Sequence, residues 1–228
     1  MPKSSPCHIS IWAWLWLPLG FLVFQIGGEF LMPRPIWKDM HSENGFHEIA
    51  QFIIMAATFL VALSALIRYV LLGWSFMVVW FLIAVLGSFY VAGEEISWGQ
   101  HFFGWTSGEF WREINDQGET NLHNTSSWLD QKPRLILELA VIVGGIILPL
   151  LKRWKSSVIP SFIKEITPPL HFIPLALMVA FLKLSEDIFE VAGIVFYIRG
   201  SEVVELFVFY YVFLYVLNHR LQVARHNL

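Results

Sequence analysis

The sequence predicts an all-α fold: a polytopic membrane helical bundle of about six transmembrane helices, with an interfacial helix and loop on its outer face. Two observations predict it. Hydrophobic residues make up 56% of the 228-residue chain and charged residues only 14%, against about 45–50% and about 25% in soluble domains. Six apolar stretches (9–28, 49–72, 74–93, 135–151, 170–184 and 203–217) reach or approach the ~20 helical residues that cross a hydrocarbon core about 30 Å thick. Eleven Trp and twenty Phe fit the same class, because amphipathic Trp rings favour the membrane–water boundary. The net charge of −3, with no basic run, excludes a nucleic-acid face. Cys7 is the single cysteine, which excludes an internal disulfide framework and a Cys-based zinc site. It also precedes the first apolar run, where a lipoprotein cleavage site would not fall.

The first stretch follows Lys3 and continues as Gln25-Ile26-Gly27-Gly28-Glu29 without a small-x-small cleavage site. It is therefore expected to be a retained helix rather than a signal peptide. The fifth stretch is short. It either ends near residue 184 or continues to 198, taking Lys183, Glu186, Asp187 and Glu190 into one long helix. Six spans put both termini on one side. The cluster Lys152-Arg153-Trp154-Lys155, directly after the fourth span, makes that side cytoplasmic. The acids then sort sharply: of eighteen Asp and Glu, only Glu165 falls on the cytoplasmic side. Residues 1–228 read as one transmembrane domain, within which 94–133 form an extracytoplasmic re-entrant or interfacial segment.

Three outer connections carry the candidate chemistry. The first ends His41-Ser42-Glu43-Asn44-Gly45-Phe46-His47-Glu48. Helix capping explains Ser42, Glu43 and Asn44, and explains less well a second carboxylate and a His at the edge of an apolar span. After the third span comes Gly93-Glu94-Glu95-Ile96-Ser97-Trp98-Gly99-Gln100-His101. If the helix continues, Glu94, Trp98 and His101 share a face. Phe102, Phe103 and Trp105 are explained by an interfacial segment. The vicinal acids are not, because two carboxylates at the end of an apolar helix are costly without a cation, a proton or hydrogen bonds. Further on, Glu119 and His123 stand at i, i+4, a spacing that suits a shared metal and that also occurs in solvated loops. The last region holds Glu186 and Glu190 at i, i+4 and Glu202 and Glu205 at i, i+3.

Three of these runs, Glu43-Asn44-Gly45…Glu48, Gly93-Glu94-Glu95-Ile96-Ser97-Trp98-Gly99-Gln100 and Gly118-Glu119-Thr120-Asn121-Leu122-His123-Asn124, resemble those of a group of uncharacterised bacterial polytopic integral membrane proteins. The resemblance covers most of the chain. It implies a multi-pass protein of the bacterial inner membrane, and no particular reaction.

Three functions follow from the residues. The first is a metal-dependent enzyme acting at the extracytoplasmic face on a lipid or other amphiphile. Glu94, Glu95 and Glu119 are its candidate catalytic residues. His101, His123, Glu43, Glu48, Glu186, Glu190, Glu202 and Glu205 are its candidate ligands for Zn, Mn or Fe. Ser97 is a weaker candidate nucleophile. The second is a non-catalytic subunit or binding protein whose acidic outer face docks a partner. The third is a cation or proton pathway, disfavoured by inner half-spans that are nearly all apolar apart from Ser64 and Arg68. Membrane lipids are the expected partners, with a protein partner or homo-oligomer left open.

Overall fold

The computed structural model describes residues 9–42, 45–115, 120–122, 125 and 127–224. These are predominantly helical, and no strand occurs among them. A π-helical turn, Trp12–Trp16, leads into α1 (Leu17–Leu31), followed by α2 (Arg34–Met40), α3 (Phe46–Leu72) and α4 (Ser75–Glu95). Two short helices follow, α5 (Gln100–Phe103) and α6 (Glu109–Ile114). Then α7 (Ser127–Ile142) passes through the π-helical turn Val143–Ile147 into α8 (Leu148–Trp154). The chain ends with α9 (Ser161–Ile166), α10 (Ile173–Val191) and α11 (Gly200–Val223).

Five helices are long and apolar enough to cross a membrane: Trp12–Leu31, Phe46–Leu72, Ser75–Glu95, Lys132–Trp154 and Gly200–Val223. The sixth expected span forms α10, which falls short by composition because its last turns carry Lys183, Glu186, Asp187 and Glu190. It absorbs those charges and then stops at Val191 instead of reaching 198, where Gly193 takes a left-handed φ of 67°. Its apolar part is interior all the same: Leu175, Ala176, Val179 and Leu182 are buried against α11.

The centre of the bundle is α11. Half of its apolar window is buried, against 22–28% for the other four candidate spans. Burial on more than one side matches its weakly one-sided sequence. It packs on α3, α7 and α10, while α3 and α4 form a tight hairpin around Gly73. Where α7 meets α10 and α11, Gly145 sits in the π-helical turn. A Cβ there would lie 2.6 Å from the Tyr211 hydroxyl and 2.8 Å from the Ala176 Cβ. Only glycine permits this approach.

A carboxylate and arginine network at one end of the bundle

The antiparallel helices bring the C-terminal ends of α1, α4 and α10 to the same end of the bundle as the N-terminal ends of α3, α7 and α11. Arg199 enters α11 with a left-handed backbone, φ 49°, a strained state for a residue with a Cβ. Its guanidinium lies 3.4 Å from Glu48 on α3 and 3.0 Å from Glu202 on α11, and it donates to the His41 carbonyl at 3.0 Å. Gln51 donates to the Glu202 carbonyl at 2.9 Å and to its carboxylate at 3.4 Å. On the other side, Arg134 joins Glu205 of α11 (3.2 Å) to Glu138 of α7 (3.5 Å). Lys183 of α10 continues the chain of charge to Glu186 and Asp187.

Glu95, the last residue of α4, lies between these two arms. Burial acts on it first, and the charges of Glu205, Glu202, Glu48 and Glu94 add to that. Among the described residues no hydrogen bond or ion pair to its carboxylate occurs. Its neighbour Glu94 is in the opposite situation. Buried to 4% exposure, it accepts the Trp98 indole N–H at 2.7 Å and the Leu122 backbone N–H at 2.6 Å. The helix does not continue past Glu95 as the shared-face expectation required. Ser97, Trp98 and Gly99 take positive φ values of 45°, 56° and 100°, and this turn, not a helical face, returns Trp98 to Glu94. A clasp then secures the turn. Thr120 donates to the Ser97 carbonyl and to the Gln100 side chain, Asn121 donates to the Ser97 hydroxyl at 2.9 Å, and Asn115 donates to Asn121. Ser97 is wholly buried in this clasp, which suits a structural role better than that of a nucleophile.

A second polar group lies beside Arg199. Gln25, Trp37, His41 and His47 are almost completely buried. The two imidazoles stack at 4.0 Å, and each meets the Gln25 side chain through Nε2, at 2.7 Å for His41 and 3.3 Å for His47. The Nδ1 atom of His41 faces the Trp37 carbonyl at 2.8 Å, which holds its ring in place.

The structure therefore brings together Glu48, Glu94, Glu95, Glu202 and Glu205 from three chain segments. Glu186 pairs with Lys183 and lies against Gly200, adjoining this set through Glu138. Glu190 is exposed and stands apart. Glu43, Glu119 and His123 lie outside the described residues, as does the side chain of His101. Among the described residues no group of three or more His, Cys, Asp or Glu is arranged to hold a metal ion. Reading by motif missed Arg134, Arg199, Gln25 and Gln51, isolated residues whose partners are remote in sequence.

An apolar groove of about 380 Å³ runs between α1, α3 and α11. Phe46 and Leu206, which adjoin His47 and Glu205, line it together with Leu17, Phe21, Ile53 and Phe213.

No family model, curated protein or solved structure matches the chain.

Proposed function

We propose that the chain is a membrane enzyme acting on an amphiphilic substrate at the membrane boundary, with Glu95 as its proton-transferring carboxyl. The observation that carries this reading is the surroundings of Glu95: four other carboxylates act on it, and no described donor engages it. The described carboxylates of the network outnumber its arginines, Arg134 and Arg199. Each added negative charge makes ionisation of the next more costly, so a proton or a cation must relieve the excess. A carboxyl held in that condition is suited to general acid–base work. Glu94, held by Trp98 and Leu122, orients the turn, and Arg199 and Arg134 fix the flanking acids. The α1–α3–α11 groove offers room for the apolar part of the substrate.

The inward placement of the acids favours an internal site over a docking face. Glu94 and Glu138 are buried, and Glu48, Glu202 and Glu205 each expose 16% of their side chains. The bundle end that carries the network faces outward and both termini are cytoplasmic, as the positive-inside bias of Lys152, Arg153 and Lys155 supports. The resemblance read from the motifs supports a bacterial inner membrane.

A divalent ion (Zn, Mn or Fe) is the second reading, favoured by the same excess of carboxylates. Its ligands would have to include some of Glu43, Glu119, His101 and His123, because the described acids by themselves form no group that could hold a metal ion. Chelation separates the two readings. Metal-dependent protein loses thermal stability with chelator, because a ligand bound only by the folded state stabilises it; protein that works by proton transfer alone does not respond. The enzyme reading itself is tested by Glu95→Gln, which should stay folded and lose turnover.

A further inference from the structure

We infer a binding site for a quaternary ammonium group, carried by a membrane lipid headgroup, in the cavity formed by Trp98, Trp105 and Trp111. The inference goes beyond the proposed activity and stands whether or not Glu95 performs chemistry. These three tryptophans, with Thr120 and Leu122, line one cavity of about 420 Å³ beyond the end of α4. Three indoles around one opening form the kind of aromatic cage that attracts alkylated ammonium ions, through the negative faces of the rings.

The fold assembles this cage deliberately. Gly99 has φ 100°, and a Cβ there would come within 3.2 Å of the Trp105 ring, so glycine lets Trp105 close over the turn. Phe103 stacks on Trp105 with centroids 5.8 Å apart and planes 8° from parallel. Arg112 donates to the Ser107 carbonyl at 2.9 Å and fixes α6, which carries Trp111.

Charge complementarity identifies the occupant as a cation. The buried Glu94 carboxylate accepts from the Trp98 indole and from the Leu122 N–H, and both residues line the cavity. Negative charge therefore stands directly behind the wall. The chemistry of that wall selects the kind of cation. A primary ammonium needs several hydrogen-bond acceptors to replace its water, and the described lining offers one hydroxyl oxygen, that of Thr120, among apolar side chains. A quaternary ammonium makes no such demand. The position of the cage identifies the carrier: Phe102, Phe103 and Phe110 are exposed beside it at the end of a membrane-length helix. The amphipathic indoles of Trp98 and Trp105, themselves exposed, belong at headgroup level, which puts the cage where lipid headgroups lie.

The full chain in maltoside detergent provides the test. Saturation-transfer NMR follows the N-methyl protons of dihexanoyl-phosphocholine, with dihexanoyl-phosphoglycerol, identical in its chains, as the comparison. The phosphocholine lipid should bind saturably and at least tenfold more tightly, and tetramethylammonium should compete with it. Trp105→Leu and Trp111→Leu should each weaken binding about five- to tenfold, whereas Trp105→Phe, which keeps a ring, should stay within about twofold. Equal affinity for the two headgroups, or leucine variants that bind like wild type, would overturn the site. Tetramethylammonium binding without binding of the phosphocholine lipid would overturn its assignment to a lipid. Turnover is not read in this experiment, so its failure leaves the Glu95 proposal where it was.

Discussion

The indole of Trp98 donates to the Glu94 carboxylate at 2.7 Å across a turn of three left-handed residues, and this contact divides the roles of two adjacent glutamates. Glu94 is held by donors. Glu95 faces other carboxylates. The same substitution should therefore have opposite effects at the two positions. Glu94→Gln loses a charge-assisted acceptor for Trp98 and Leu122 and should cost about 1–3 kcal/mol. Glu95→Gln removes repulsion with Glu48, Glu94, Glu202 and Glu205 and should be neutral or stabilising. Thermal unfolding of the two purified variants beside wild type checks this, and a larger loss at Glu95 than at Glu94 would reverse the assignment.

Arg199 should couple to Glu48. The pair is 3.4 Å apart with Arg199 partly exposed, so solvent weakens it. Arg199→Gln leaves both Glu48 and Glu202 without this counter-charge and should cost about 2 kcal/mol. In the Glu48→Gln background the same change should cost less, by about 1 kcal/mol. A double-mutant cycle on purified protein measures the difference; strictly additive losses would mean that the pair contributes nothing.

How far this arrangement could be read from the sequence depends on the kind of signal. Membrane helices were legible because length and hydropathy are local properties, and five spans passed on those terms alone. The helix α10 was ambiguous because Lys183, Glu186, Asp187 and Glu190 dilute its apolar run, although Lys183 pairs with Glu186 and Asp187 on the helix itself. The gathering of acids at one end was legible from span parity. Their counter-charges were not. Arg134 and Arg199 have no motif or spacing, and each pairs across the fold with residues far away in the chain. The break after Glu95 was hidden for another reason: Gly99 suits a left-handed turn, but nothing local marks Ser97 and Trp98, whose backbone is held there by Thr120 and by Glu94. Gln25 lay inside an apolar run, where only the fold reveals that it serves His41 and His47.

Packing at the π-helical turn gives a prediction independent of function. Gly145→Ala forces a methyl group toward the Tyr211 hydroxyl and Ala176 and should cost about 1–3 kcal/mol. At Gly144 nothing stands within 4 Å of a Cβ, so Gly144→Ala should be neutral or stabilising by up to about 1 kcal/mol. Tyr211→Phe removes the closest atom and should recover part of the Gly145→Ala loss. Melting temperatures of the three variants and the Gly145→Ala/Tyr211→Phe pair decide it.

Topology follows from placing the network end outside. In a Cys7→Ser background, cysteines introduced at Gly108 and Ser156, both exposed, should label from opposite sides. The first should react with an impermeant maleimide in intact cells, and the second only after lysis. Labelling of both from the same side would contradict the proposed arrangement.

The role of Glu95 is tested most directly by turnover in a membrane. Wild-type protein and Glu95→Gln, each shown to be folded by its melting temperature, are reconstituted into vesicles of a bacterial polar lipid extract. Mass spectrometry then follows every lipid species over time, with and without added Zn, Mn or Fe. The proposed function predicts that wild type consumes at least one species and forms a product, while Glu95→Gln leaves the profile like that of protein-free vesicles. A Glu95→Gln variant that converts the same lipid as fast as wild type, or a wild-type profile indistinguishable from empty vesicles under every metal condition, would contradict it.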